Sequence, residues 1–127
     1  MKYLLDTHTI IWFFERSPKL PIKTKGVMVA PENSTYVCAV SLWEIAIKVN
    51  LEKLKLSFSI GEFLDKVKSS EIKLLQIKNE HLKGLHNVPF IHKDPFDRLL
   101  ISTALVENLT IITADANIQK YDVPWIW

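Results

Sequence analysis

The chain has 127 residues, 48% of them hydrophobic and 24% charged, which suits one soluble domain burying roughly two thirds of its unfolded surface. With 3 Gly, 6 Pro and a formal charge of +2, it is neither fibrous nor disordered, and its charge alone does not announce a nucleic-acid binder. A single cysteine, Cys38, excludes an intrachain disulfide and points to a reducing cytoplasm, and the longest stretch without Lys, Arg, Asp or Glu, residues 33–43, falls short of the ~20 residues that span a bilayer.

Apolar runs alternate with helical periodicity along the chain, the pattern of an α/β protein. Residues 2–5 (KYLL) read as a short buried strand, and 7–17 as a helix stopped before Pro18. Residues 21–34 mix helix and strand signals, with Gly26 and Pro31 interrupting either, and predict no clear helix. A second strand is expected over 35–40 and a helix over 41–54. In that helix, Ser41 and Glu44 have the spacing of a capping box. Ser59 and Glu62 repeat that spacing ahead of a helix over 59–70. A third strand (72–77) and a short helix (79–88) come next. Residues 94–109 carry the clearest helix signal, with Asp94 as N-cap and Pro95 at the first helical position. A strand over 110–113, one or two turns over 114–121 and a last strand over 123–127 complete the chain.

Four acids stand out from this scheme. Asp6, Glu44 and Asp115 each fall just after a predicted strand, and Asp97 in the first turn of helix 94–109. In an open, mostly parallel sheet the carboxyl ends of the strands share one edge, where ligands bind. Acids distant in sequence therefore converge there. Each has a bland explanation: capping for Asp6 and Asp115, the capping box or an i,i+4 pair with Lys48 for Glu44, the helix dipole for Asp97. Together they are harder to explain away. Carboxylates within ~5 Å repel by about 3 kcal/mol per pair at an effective dielectric near 20, a cost that a divalent cation removes. An oxygen-only donor set suits Mg²⁺ or Mn²⁺ and, through them, phosphodiester chemistry.

The segments LLDTHTIIWFF (4–14), VSLWEIAIK (40–48), HKDPFDRLLISTA (92–104) and TIITADANIQKYDVPWIW (110–127) resemble the PIN domain, and more narrowly the VapC-type toxins of toxin–antitoxin pairs. The resemblance covers nearly the whole chain as a single domain, 1–127. It implies a three-layer α/β/α sandwich around a mostly parallel sheet of about five strands, and a Mg²⁺- or Mn²⁺-dependent endoribonuclease. By position, Asp6, Glu44, Asp97 and Asp115 become the catalytic and metal-holding acids, with Thr113 and Ser41 supporting them. Asp94 remains an N-cap at the rim. The resemblance further implies a homodimer and a small antitoxin protein over the groove.

For RNA contact the cations nearest the predicted edge are Arg16, Lys48, Lys93 and Arg98; setting the four acids aside leaves 16 basic residues against 10 acidic, a balance that favours a phosphate backbone. His92 lies close enough to Asp94 and Asp97 to face substrate. Trp12, Phe13, Ile45 and Val49 exceed what a small core needs and suggest an interface. Two other readings stay open: a non-catalytic PIN-like module that binds RNA or protein, and a PIN nuclease of RNA or DNA processing without an antitoxin.

Overall fold

A computed structural model describes all residues, 1–127. Five strands and seven α-helices alternate: β1 (Lys2–Leu5), α1 (Thr7–Glu15), α2 (Ile22–Val29), β2 (Ser34–Cys38), α3 (Ala39–Asn50), α4 (Ile60–Ser69), β3 (Lys73–Leu75), α5 (Asn79–Gly84), α6 (Pro95–Glu107), β4 (Thr110–Ile112), α7 (Ala116–Gln119) and β5 (Trp125–Ile126). A 3₁₀ turn, Leu85–Asn87, extends α5. The strands lie in the order β3-β2-β1-β4-β5, and every neighbouring pair is parallel.

The sheet is covered on both faces, so apolar residues run on to the carboxyl ends of the inner strands, Tyr3–Leu5, Tyr36–Cys38 and Ile111–Ile112. Tyr3, Leu5, Val37 and Ile112 join Ile10, Met28, Ile45, Phe63 and Val67 in one core cluster. Leu4, Cys38 and Ile111 turn to the other face and meet Leu100, Ile101, Ala104 and Ile118. Three layers result, with α1, α2 and α4 on one side and α6 and α7 on the other. The expected α/β/α sandwich is therefore present, with a sheet that is wholly parallel.

Two local expectations fail, each for a physical reason. Residues 22–29 do form a helix. Pro21 precedes it with φ −61°, and a Cβ at Gly26 would touch nothing, so the glycine costs only its propensity, about 1 kcal/mol. Buried Thr24 and Met28 anchor the inner face. The carboxyl-terminal carbonyls are met from downstream: Asn33 Nδ2 donates to Val27 O at 3.0 Å and the Thr35 hydroxyl to Met28 O at 3.1 Å. The capping box at Ser41 is also absent. Helix α3 begins at Ala39, with Cys38 in the cap position and no side-chain cap bond. The strand thus ends two residues early, because Val40 and Ser41 are already buried as helix residues. Glu44 consequently sits in the second helical turn.

Other cap signals hold. Glu62 N donates to Ser59 Oγ at 3.1 Å, the capping box of α4. Phe96 N and Asp97 N donate to Asp94 Oδ1 at 2.9 and 3.1 Å, and Pro95 opens α6.

The strand order positions the site. From β1 the chain winds outward through β2 and β3, then returns to build β4 and β5 on the other flank. The switch point lies between the carboxyl ends of β1 and β4, where such folds open a crevice. Leu5 pairs with both Val37 and Ile112. The segments leaving these three strand ends emerge at one edge: Asp6 after β1, α3 after β2, and Thr113 to Asp115 after β4.

Candidate active site at the sheet edge

Asp6 ends β1 and caps α1 in extended conformation. Thr9 N donates to its Oδ1 at 2.8 Å. The Thr9 hydroxyl is shared between that same oxygen, at 2.7 Å, and Ile112 O, at 3.0 Å. Thr113, the residue after β4, donates its hydroxyl to Asp6 Oδ2 and accepts from Asp115 N at 2.9 Å. Asp6 is thereby fixed to the ends of both central strands. Burial pushes its carboxyl above the usual range, against the opposing pull of Thr113 and Thr9.

Asp115 caps α7, its Oδ1 accepting from Asn117 N at 2.7 Å and Ile118 N at 3.3 Å. Asp6, His8, Trp12, Ala114 and Asp115 line one small cavity. Asp97, one turn into α6, has its carboxyl raised to about 6, chiefly by burial, with the charges of Asp94 and Asp115 adding to the shift. His92 holds it from the opposite side, Nε2 lying 2.9 Å from Asp97 Oδ2. That ring is itself held, because Tyr121 OH lies 2.8 Å from His92 Nδ1 and accepts from His92 N at 3.1 Å. The ring thus bridges Asp97 and Tyr121 through its two nitrogens.

Glu44 is only 4% exposed. The Thr7 hydroxyl donates to its Oε1 at 2.6 Å, and Lys48 Nζ to its Oε2 at 2.6 Å. The i,i+4 pair expected from the sequence is therefore formed. Lys48 is held protonated above its usual range by its bond to Glu44, and Asp94 and Asp97 add to that field. Through these links Asp6, Glu44, Asp94, Asp97 and Asp115 make up one electrostatic neighbourhood at the expected edge. Ser41 is buried in the first turn of α3 and has no capping role.

The four cations divide. Lys93 and Arg16 are exposed, and Arg16 ends α1 in left-handed conformation at φ 54°. Lys48 is paired with Glu44 through one of its three donors. Arg98 does not face solvent: it is buried, and its two terminal nitrogens donate to Pro89 O at 2.7 Å and Val88 O at 3.0 Å. The expectation of an RNA contact there is corrected, since the charge is spent on the loop ahead of α6. Ile45 is likewise wholly buried in the core and forms no interface. Trp12 packs edge-on against Trp127, with ring centres 5.8 Å apart. Trp43 stays 62% exposed beside Phe96.

Three supporting residues escape a reading of the sequence: Thr7, Thr9 and Tyr121. Thr9 carries a signal, since a hydroxyl three residues after a helix-capping Asp falls within reach of that carboxylate. Thr7 and Tyr121 reach partners 37 and 29 residues away and leave none.

No three acidic, histidine or cysteine side chains stand close enough together to enclose a metal ion. No buried polar side-chain atom lacks a partner either, so the fit of an ion rests on donor chemistry. Asp6, Asp97 and Asp115 supply only oxygen, and a carboxylate has about four lone-pair sites, more than the hydrogen bonds present use. The same burial that raises Asp6 and Asp97 is what a bound cation reverses. Hard divalent ions fit this set; Glu44 differs from it in that one of its two partners, Lys48, is itself a cation.

The chain belongs to the PIN domain family, whose model it matches over residues 3–124. The resemblance drawn from its motifs is thus borne out. Among solved structures it is similar to VapBC2 from Rickettsia felis bound to a promoter DNA fragment (16% identity, 99% of this chain and 98% of that one, TM-score 0.76). It is similar also to FitAcB from Neisseria gonorrhoeae (17%, 98% and 96%, TM-score 0.71) and to a toxin–antitoxin complex from Klebsiella pneumoniae (15%, 98% and 96%, TM-score 0.66). No protein of curated function matches the chain in sequence. No helix is long and apolar enough to cross a membrane.

Proposed function

We propose that the chain is a Mg²⁺- or Mn²⁺-dependent endoribonuclease, the toxin of a toxin–antitoxin pair acting in the cytoplasm. The reading is supported by three buried or half-buried carboxylates, Asp6, Asp97 and Asp115, on segments that border the switch point of a PIN fold. The assemblies to which the chain is similar are named VapBC, FitAcB and toxin–antitoxin complex, which supports a small antitoxin protein as partner. Exposed apolar side chains such as Trp43 and Phe90 (62% and 82%) are the kind of surface that an antitoxin or a second copy of the chain covers.

In this reading Asp6, Asp97 and Asp115 hold the ion, Thr9 and Thr113 fix the first of them, and His92 orients the second. When bound, a divalent ion supplies an activated water and neutralises charge on the scissile phosphate. Lys93, next to the Asp94 cap, attracts the RNA backbone at the rim, whereas Arg16 stands at the end of α1 away from Asp6. Asp6→Ala is expected to lower Mg²⁺-dependent cleavage of RNA at least about 1,000-fold, and EDTA to abolish it. Equal rates for the variant and the parent sink the assignment. Tyr121→Phe keeps the ring but drops the hydroxyl that steadies His92. It should reduce cleavage about tenfold with a loss of about 1 kcal/mol in urea unfolding; undiminished cleavage means that Asp97 needs no such support.

The absence of a ready-made three-ligand cage is the one observation favouring a non-catalytic RNA-binding module. RNA binding indifferent to EDTA, with no cleavage at any metal concentration, is its signature.

A further inference from the structure

We propose that Lys48 supplies the second positive charge of the site, so that the acids take one divalent ion and the Lys48 ammonium binds a phosphate oxygen of the RNA. The inference rests on the ribonuclease reading and assigns the charge arrangement of that same site.

Four observations carry it. Glu44 already has a cationic partner: Lys48 donates to one oxygen at 2.6 Å, while the neutral Thr7 hydroxyl donates to the other at 2.6 Å. The pair is unlike an ordinary surface i,i+4 bridge, because the glutamate side chain is 5% exposed and its charge is screened little by water. The lysine side chain, by contrast, is 39% exposed, so its ammonium stands at the boundary between the acids and solvent. And the carboxylate it bonds is held on its other oxygen by Thr7, the residue next to Asp6, which ties the pair to the edge where the acids stand.

A second divalent ion at Glu44 would have to sit against that ammonium, and like charges this close in a half-buried site repel strongly. The lysine therefore occupies the electrostatic place that a second cation takes in two-metal phosphodiester sites. An ammonium has three donors, and only one is used, on Glu44. The remaining two are available to phosphate oxygens that arrive beside the ion held by Asp6, Asp97 and Asp115.

The test counts ions. Mn²⁺ titrated into the purified chain, read by electron paramagnetic resonance and by calorimetry, is expected to give one bound ion. Lys48→Met keeps most of the aliphatic stem and removes the charge; it should admit a second ion at Glu44, raising the count to two. Cleavage at limiting Mn²⁺ should fall about 100-fold and recover in part at high Mn²⁺. Lys48→Arg keeps the charge and should stay at one ion, and Lys48→Gln serves if the methionine variant does not fold. Two ions on the unaltered chain, or a single ion with undiminished cleavage in Lys48→Met, overturn the proposal. If the counts are one and two but RNA is never cut, the charge assignment stands and the nuclease reading falls. If RNA is cut by a chain already carrying two ions, the reverse holds.

Discussion

Asp97→Asn is expected to abolish metal-dependent RNA cleavage and, in the same protein without metal, to raise stability. Both effects come from one placement. The Asp97 side chain is 17% exposed, and its carboxyl is pushed up to about 6 by burial first, then by the charges of Asp94 and Asp115, with His92 opposing. In the unfolded chain the same group titrates near 3.9. Between these two values the folded protein binds a proton that the unfolded chain has released, so stability falls as pH rises through the window and stays low above it. A shift of this size corresponds to about 3 kcal/mol as an upper figure. Asparagine keeps an oxygen to accept from His92 Nε2 but carries no charge. In EDTA, urea unfolding at pH 7.5 should therefore show the variant more stable by about 2–3 kcal/mol, with the gap closing toward pH 4. Mn²⁺ should stabilise the parent, which binds it in the folded state only, and leave the variant nearly unmoved. A gap that does not change with pH refutes the electrostatic account. Retained cleavage refutes the catalytic one.

That trade between stability and function explains which parts of the site are legible in the sequence. Asp6, Asp94, Asp97 and Asp115 stand out because helix starts are written locally: a short polar residue, sometimes a proline, then an apolar stripe. The strand order turns those four local signals into one edge. Glu44 stands out for a partly mistaken reason. The Ser41–Glu44 spacing suggests a capping box, yet α3 starts at Ala39, and the glutamate owes its position to Thr7 and Lys48. Burial of Val40 and Ser41 overrides the local signal, and no pattern of four residues records that. Helix α2 is hidden for a related reason. Gly26 and Pro31 are real breakers, but the carbonyls they leave exposed are met by Asn33 and Thr35, which lie beyond the helix. His92 is near enough to the acids in sequence to suggest a substrate-facing role, and its neighbours define a narrower one: it is clamped between Asp97 and Tyr121.

Arg98→Leu is expected to destabilise the fold by about 3 kcal/mol and to weaken cleavage through a loop, not through RNA contact. In the sequence Arg98 is one cation among 16 basic residues, and a cation beside an acidic site suggests phosphate. The structure spends it differently. Its guanidinium donates to Val88 O and Pro89 O and lies 3.8 Å over the Phe90 ring, so one side chain holds three consecutive residues. Two residues further on, the same segment delivers His92 to Asp97. Carbonyl acceptors are invisible to composition and spacing, which is why sequence alone misassigns the residue. Hydrogen bonds from a charged donor are worth about 1.5–3 kcal/mol each, and cation–π contact with the Phe90 ring, which stays 82% exposed, adds about 0.5 kcal/mol; Pro89 O keeps Ile91 N as a second partner at 3.0 Å, which limits the loss. Arg98→Lys separates the two roles. A lysine preserves charge for RNA but cannot span two carbonyls with a planar fork, so it should lose most of the same stability. Cleavage by both variants should show the salt dependence of the parent, because no phosphate contact has been removed. If Arg98→Lys keeps full stability while the salt slope falls, the guanidinium belongs to the RNA after all.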